Sequence, residues 1–373
     1  MTIRDTAERA SSAITTLSES QVIKTVRRIA VAVSAAALFA GVAPAQSVDL
    51  TGAGATFPYP IYSKWFSDYA TSTGVKINYQ SIGSGGGIRQ LSEGTVDFGA
   101  SDSPMSDQEL ANAKGGAVLH FPTVMGAVVV TYNIPGAARP LNLSGDVVAD
   151  IFSGKITKWN DARIVAQNHG VALPNADVLV VHRSDGSGTT YIFSDYLSAV
   201  SPSWSSSLGK GKDIKWPVGL GAKGNEGVAG QVRQTPGSIG YVELAYAKQN
   251  KLAFANLRNA DGRYVAPSIA SVTAAAAGAK LPKNTDYRVS IVNAPGKDSY
   301  PISSLTWILA YQNQTDHVKG TKLVNFLRWA YKDGEKSASA LDYAPLPAAM
   351  VAALQNRLKT IKVNGNASVG DAR

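Results

Sequence analysis

The apolar positions of this chain fall into short β-branched runs separated by stretches of helical spacing. Val48-Asp49-Leu50-Thr51 reads as a first strand, and Ile61, Trp65 and Tyr69, four apart with Tyr62 and Phe66 beside them, predict a helix. Pro58 and Pro60 suit its first turn. Val75 to Gln80 alternates as a strand, Ile88 and Leu91 open another helix, and Val96 to Asp102 is a short strand ending in an acid. Ser106 and Glu109 have capping-box spacing. Phe121 to Tyr132 is a long β-branched run, residues 146–159 read as helix then turn, and Val178 to Val181 is a buried strand. After it, Ile192, Phe193, Tyr196, Leu197 and Val200 form an apolar helical stripe. Val228 and Val232 suggest a helix, Gly237 to Glu243 a turn and strand, Ile302 to Tyr311 a strand, and residues 317–332 and 347–360 two helices. Residues 250–297 carry little periodicity and read as loop-rich, and the polar tail from Lys362 reads as loose. No repeat recurs at a solenoid period. Strands alternating with helices predict an α/β fold with helices on the sheet faces.

What stands between those strands and helices narrows the chemistry. Gly52 to Pro58, Ser81 to Gly87 and Arg183 to Thr190 are glycine-rich loops, each after a strand and before a helix, and Gly219 to Gly227 is a further glycine-rich segment. Backbone N–H groups at a helix start have no partner within the helix, and the helix dipole favours negative charge there. In Arg183-Ser184-Asp185-Gly186-Ser187-Gly188-Thr189-Thr190, the glycines allow close backbone approach, Ser187 and Thr189 can donate hydroxyl hydrogens, and Arg183 adds a fork of charged donors. Such a loop suits a tetrahedral oxyanion. Taken by itself it is also compatible with an ordinary turn capped by a serine or threonine. Ligands of open α/β sheets bind beyond the carboxyl ends of strands, so these loops could converge on one site.

Composition adds location and exclusions. The chain has 373 residues, of which 45% are hydrophobic and 17% charged, which suits two domains or one large one. Arg27-Arg28 precede an uncharged apolar run from Ile29 to Val42, and Ala43-Pro44-Ala45 has the small-x-small form of a cleavage signal. Residues 1–45 are therefore expected to be a secretory signal peptide cut before Gln46, with a membrane anchor as the alternative. The formal charge is +9, and residues 1–45 hold five basic and three acidic side chains, which leaves +7 after their removal. No Lys/Arg block dominates, which favours an anion-attracting surface over a nucleic-acid stripe. With no cysteine, disulfides, thiol catalysis, Cys-based zinc sites and a lipid-anchored cysteine are all excluded.

Enzymatic motifs are missing. Gly52-Ala53-Gly54 begins a dinucleotide pattern, but Phe57 stands where its third glycine belongs. Residues Ile82 and Asp185, two before Ser84 and Ser187, break the G-x-S-x-G elbow of serine hydrolases. No Walker A loop and no HExxH occurs, and Asp102 with Asp185 are too few for metal-dependent phosphatase chemistry. His120, His169, His182 and His317 read as structural, with His182 of most interest because it abuts Arg183. A secreted phosphatase on a related scaffold remains the alternative to a binding protein.

The stretches Thr51 to Pro58, Tyr79 to Gly86, Val96 to Asp102, Arg183 to Thr189, Lys215 to Gly221, Gly240 to Glu243 and Leu341 to Pro347 resemble, in the same order, the periplasmic phosphate-binding protein of ABC-type phosphate importers. The resemblance covers nearly all of the chain after residue 45. It implies a two-lobed periplasmic binding protein fold of type II, each lobe a mixed sheet flanked by helices, with a hinge of two crossing strands. One lobe would be residues 46–124 plus 300–373, the other 125–299. It implies inorganic phosphate held by Thr56, Phe57, Ser84, Asp102, Arg183, Ser187, Gly188 and Thr189, with Asp185 orienting Arg183. Gly85 stands where some relatives have a serine. It further implies a soluble periplasmic monomer that needs no cofactor or metal and meets membrane permease subunits. Asp102 would then be a selectivity filter, accepting the hydrogen of HPO₄²⁻ or H₂PO₄⁻ and repelling sulfate, which has none at neutral pH; a capping or surface carboxylate is the other reading of it.

Overall fold

The computed structural model describes residues 49–136, 139–279, 285–363 and 366–368. The leader assigned to residues 1–45 lies outside them. The frame is a sheet of strands β1 (Leu50–Gly54), β2 (Ile77–Ser81), β3 (Phe98–Ser101), β4 (Val118–Tyr132), β5 (Leu179–Arg183), β6 (Leu220–Ala222), β7 (Ser238–Glu243), β8 (Ala253–Phe254) and β9 (Ser303–Tyr311). Their order is β2-β1-β3-β9-β4-β7-β5-β6, with β8 also paired to β4. Three parallel strands, β2-β1-β3, form one end, and three more, β7-β5-β6, form the other. Between them β9 and β4 run antiparallel to each other and to their outer neighbours. Both ends place the first strand in the middle, a repeat of topology that no sequence repeat announces.

The long strand β4 is buried along its whole length and belongs to both halves. Residues 118–127 pair with β9, and residues 128–132 pair with β7. A strand buried on both faces needs a continuous apolar run, and Val128, Val129 and Val130 supply it where the partner changes. The β4–β9 register shifts at Thr306/Trp307, leaving Thr123 as the extra residue on β4. Thr123 Oγ1 lies 2.8 Å from the Tyr62 hydroxyl and donates to the Thr306 carbonyl. Bulges re-aim side chains, and Thr306, beside this one, reaches Asp102.

Several boundaries differ from the sequence expectation, for one reason. β1 continues to Gly54 and the helix Ser84–Glu93 begins inside the glycine run, so Gly52 to Gly54 and Gly85 to Gly87 are not loop. A Cβ on Gly87 would lie 2.5 Å from Gly54 Cα, 2.6 Å from the Ala53 oxygen and 2.8 Å from the Ala100 oxygen. These glycines let the helix press on the sheet backbone. Leu220–Ala222 is a strand, because it extends the sheet beside β5. Residues 250–297 hold more order than expected: a small sheet of Tyr264–Val265, Asn256–Arg258 and Asn142–Leu143, and the helix Ile269–Gly278, whose Ser268 and Ser271 cap each other. In the tail, Lys362–Val363 pairs with Asn313–Gln314 and Asn366–Ser368. The capping box at Ser106 and Glu109 is formed as read.

The crowding at Gly87 sets a test. Alanine in a helix gains about 1 kcal/mol over glycine, while overpacking against a rigid neighbour costs about 1–3 kcal/mol. Because the neighbours are backbone atoms, Gly87→Ala should lower the urea midpoint; an unchanged or raised midpoint would show that the helix stands off the sheet.

Candidate anion site

The loops that converge all leave the carboxyl ends of strands. Thr56 and Phe57 follow β1, Ser84 opens the helix after β2, Asp102 follows β3, Arg183 ends β5, and Ser184 to Thr189 follow it. The side chains of Thr56, Phe57, Ser84, Asp102, Arg183, Ser187 and Thr189 are each at most 3% exposed. Two helix N-termini meet here, since a Cβ on Gly188 would overlap the Ser84 hydroxyl and come within 2.7 Å of Asp102 Oδ2. Gly85, rather than presenting a hydroxyl, donates its backbone N–H to the Gly186 carbonyl at 2.8 Å. Its missing side chain is what lets the two loops touch, since a Cβ there would already be 3.2 Å from Gly186 Cα.

Arg183 donates through Nε and Nη2 to the two oxygens of Asp185, at 2.7 and 2.5 Å. Asp185 also accepts from the Gly224 N–H at 3.0 Å. Burial works against the Asp185 carboxylate, yet the Arg183 hydrogen bonds and charge outweigh it and hold its pKa below the ordinary value. The remaining guanidinium nitrogen, Arg183 Nη1, is buried and has no hydrogen-bond partner in the protein. A charged donor left so costs well over about 1 kcal/mol unless an acceptor reaches it.

Asp102 is the opposite case. It accepts from Thr306 Oγ1 at 2.7 Å, and the Ser84 hydroxyl stands 3.5 Å from its other oxygen. Burial dominates and pushes its pKa up to about 7, against the Thr306 hydrogen bond, the Arg183 charge and Ser84. Ser187 caps the helix Gly188–Val200 by accepting from the Thr190 N–H at 2.9 Å, so its own hydrogen remains a donor. The Phe57 ring instead turns toward Gly126 and Tyr343 and its carbonyl accepts from the Tyr343 hydroxyl, so only its backbone N–H can serve the polar cluster. His182 turns away as well, stacking on Trp216 with ring centroids 4.9 Å apart.

Two members of the cluster escaped the sequence reading. Thr306 comes from the far strand β9. Asn225, fully buried, donates to both Thr56 Oγ1 and Thr189 Oγ1. Its signal was available in Gly224-Asn225-Glu226-Gly227, a glycine segment opening a helix, but nothing local says that an asparagine there points at two threonines. Among the described residues, no group of three or more His, Cys, Asp or Glu is placed to hold a metal ion.

Comparison with known proteins bears on what this cluster belongs to. The model of the PBP superfamily domain matches residues 40–333. The phosphate-binding protein PstS of Haemophilus influenzae is 48% identical over 319 residues, covering 85% of this chain and 94% of that protein. PstS of Xylella fastidiosa is 48% identical over 310 residues, covering 82% and 84%. The chain belongs to the PstS family. A solved high-affinity periplasmic phosphate-binding protein, with phosphate bound, superposes with a TM-score of 0.69 over 87% of this chain and 96% of that one, at 23% identity. The PstS-family chain thus has the two-lobed α/β fold of periplasmic binding proteins. Among its described residues no helix is long and apolar enough to cross a membrane.

The Asp102 environment carries a stability cost with a definite sign. A carboxyl whose pKa is about 7 when folded and 3.8 otherwise binds its proton more tightly in the native state. Stability is therefore lost as pH rises from about 4 through 7, by up to about 4 kcal/mol. In ligand-stripped protein, Asp102→Asn should gain thermal stability over the parent at pH 8 and lose that advantage near pH 4.5. A difference that does not change with pH would place the Asp102 carboxyl in a wetter setting.

Proposed function

We propose that this chain binds inorganic phosphate between its two half-sheets in the periplasm and delivers it to the permease of an ABC-type importer. The observation that carries this reading is the pairing of Arg183 Nη1, a buried charged donor without a protein partner, with Asp102, a buried acceptor beside the same helix N-termini. A tetrahedral oxyanion meets the first requirement, and one that keeps a hydrogen meets the second. Thr56, Ser84, Ser187 and Thr189 offer hydroxyls, Phe57 and Gly188 offer backbone N–H groups, and Asp185 holds Arg183 in place. The PstS names of the relatives and the phosphate in the solved neighbour support the same ligand.

The lobes proposed are residues 46–124 plus 300–373 and residues 125–299, hinged on β4 and β9. In support, β4 changes partner between Ala127 and Val128. Groups from both halves touch in the present arrangement: Gly85 with Gly186, Asn225 with Thr56, and Lys212 Nζ with Glu109 Oε1 at 2.6 Å. A ligand gripped from both sides shifts the population toward this closed form, which a permease can then distinguish from the open one. The protein acts as a monomer and needs no cofactor.

Selectivity rests on Asp102. Sulfate at neutral pH would set oxygen against carboxylate, two acceptors face to face in a dry site, whereas phosphate donates its hydrogen. Calorimetric titration of ligand-stripped protein should show binding of phosphate but not sulfate at pH 8, with arsenate as a further probe. Asp102→Asn should keep phosphate affinity within a modest factor and admit sulfate. For the parent, sulfate binding should strengthen as pH falls below 7, because the protonated carboxyl becomes a donor; the Asn variant should lack that dependence. A variant that still rejects sulfate removes the filter role, and release of p-nitrophenol from its phosphate ester by the pure protein would replace binding with hydrolysis.

A further inference from the structure

We infer that Asn225 is a positioning residue that turns the hydroxyls of Thr56 and Thr189 into donors aimed at the bound anion; this deepens the phosphate-binding reading and rests on it. Asn225 is the second residue of the helix Gly224–Gln234, just beyond β6, and is fully buried. Its side-chain oxygen accepts the Glu243 N–H at 2.8 Å. That bond fixes the orientation of the amide, because the –NH₂ end has nothing with which to accept an N–H. The –NH₂ group is then committed to two acceptors, Thr56 Oγ1 at 2.7 Å and Thr189 Oγ1 at 3.0 Å. Thr56 Oγ1 also accepts from the Asn225 backbone N–H at 3.2 Å.

A hydroxyl has one hydrogen to give and two positions at which to accept. At Thr56 both accepting positions are taken by Asn225, so this hydroxyl can make a further bond only by donating. At Thr189 one accepting position is taken, and the Asn225 nitrogen cannot receive the hydrogen. One amide thus presets the Thr56 hydroxyl as a donor and leaves the Thr189 hydroxyl a single open accepting position before any anion arrives. A site whose donors need not turn around on binding loses less in reorganisation and is poor for ligands that bring hydrogens to this side. The arrangement complements Asp102, which reads a hydrogen on the other side. Because Thr56 follows β1 and Asn225 follows β6, the same bonds also tie the two half-sheets together around the anion.

The experiment is phosphate titration of the ligand-stripped full chain and its variants, with thermal unfolding recorded for each. Asn225→Ala should weaken phosphate binding roughly 10- to 100-fold, the loss expected when two hydrogen bonds to a charged ligand are misdirected. Asn225→Asp, equal in shape, should weaken it further, because its oxygen captures the threonine hydrogens and adds negative charge. Should the alanine variant fail to fold, the aspartate variant carries the test. In a Thr56→Val/Thr189→Val background, Asn225→Ala should cost almost nothing more. The inference is overturned if Asn225→Ala costs the same factor in that background as in the parent, which is the signature of a purely structural role. It is overturned equally if Asn225→Asp binds phosphate like the parent. A parent that fails to bind phosphate overturns the functional reading and this inference together, whereas a binding parent with indifferent Asn225 variants overturns this inference alone.

Discussion

A guanidinium taken out of water must have all its nitrogens satisfied, and Arg183 has two of three satisfied by Asp185. The rest of the structure follows from the need to satisfy the third. Charge alone does not do this, because Asp185 already neutralises Arg183 and the nearby Asp102 is driven by burial toward its neutral form. The groups around it, two helix starts, hydroxyls and backbone N–H groups, are offered as donors as well, so the third nitrogen and its neighbours lack the same thing, an acceptor. Such groups are weak in water and strong in a dry place, where they have nothing else to bind. Their value depends on being held still, and the parallel strands of each half hold them at their carboxyl ends.

Small residues make that arrangement dense enough. Gly54, Gly87 and Ala100 let the helix Ser84–Glu93 sit on the sheet, which brings its first residue to Asp102. Gly85, Gly186 and Gly188 let one half approach the other to backbone distance. Any side chain at these positions would be a spacer between the halves. The absence of a hydroxyl at Gly85 is therefore a gain in contact as much as a loss of a donor. At the junction, β4 is a single strand shared by both halves, and beside its bulge at Thr123 the Thr306 hydroxyl reaches the Asp102 carboxyl.

Much of this was legible along the chain. Arg183 to Thr189 reads as a candidate oxyanion loop because donors, glycines and a helix start lie within eight residues. The loops at Thr56 and Ser84 announce themselves in the same way, and Asp102 stands out as an acid closing an apolar strand. Local hydrogen bonding also reads directly, as Ser106 with Glu109 does, since both partners lie in one turn. Boundaries in glycine-rich segments read poorly. Glycine disfavours helix and strand interiors alike, so Gly52 to Gly54 became strand and Gly85 to Gly87 helix against local preference, where close packing on neighbours far along the chain required small residues.

What the sequence determined by itself was the inventory: strands and helices in alternation, which loops carry donors, and an acid, Asp102, closing a short apolar strand. Each of these depends on residues a few positions apart. Tertiary structure alone decided which donors face one another and in what direction they point. Asn225 meets Thr56 across 169 positions, and Thr306 meets Asp102 across 204. No periodicity records such distances, because the strand order that closes them is fixed by how the whole sheet buries its apolar faces.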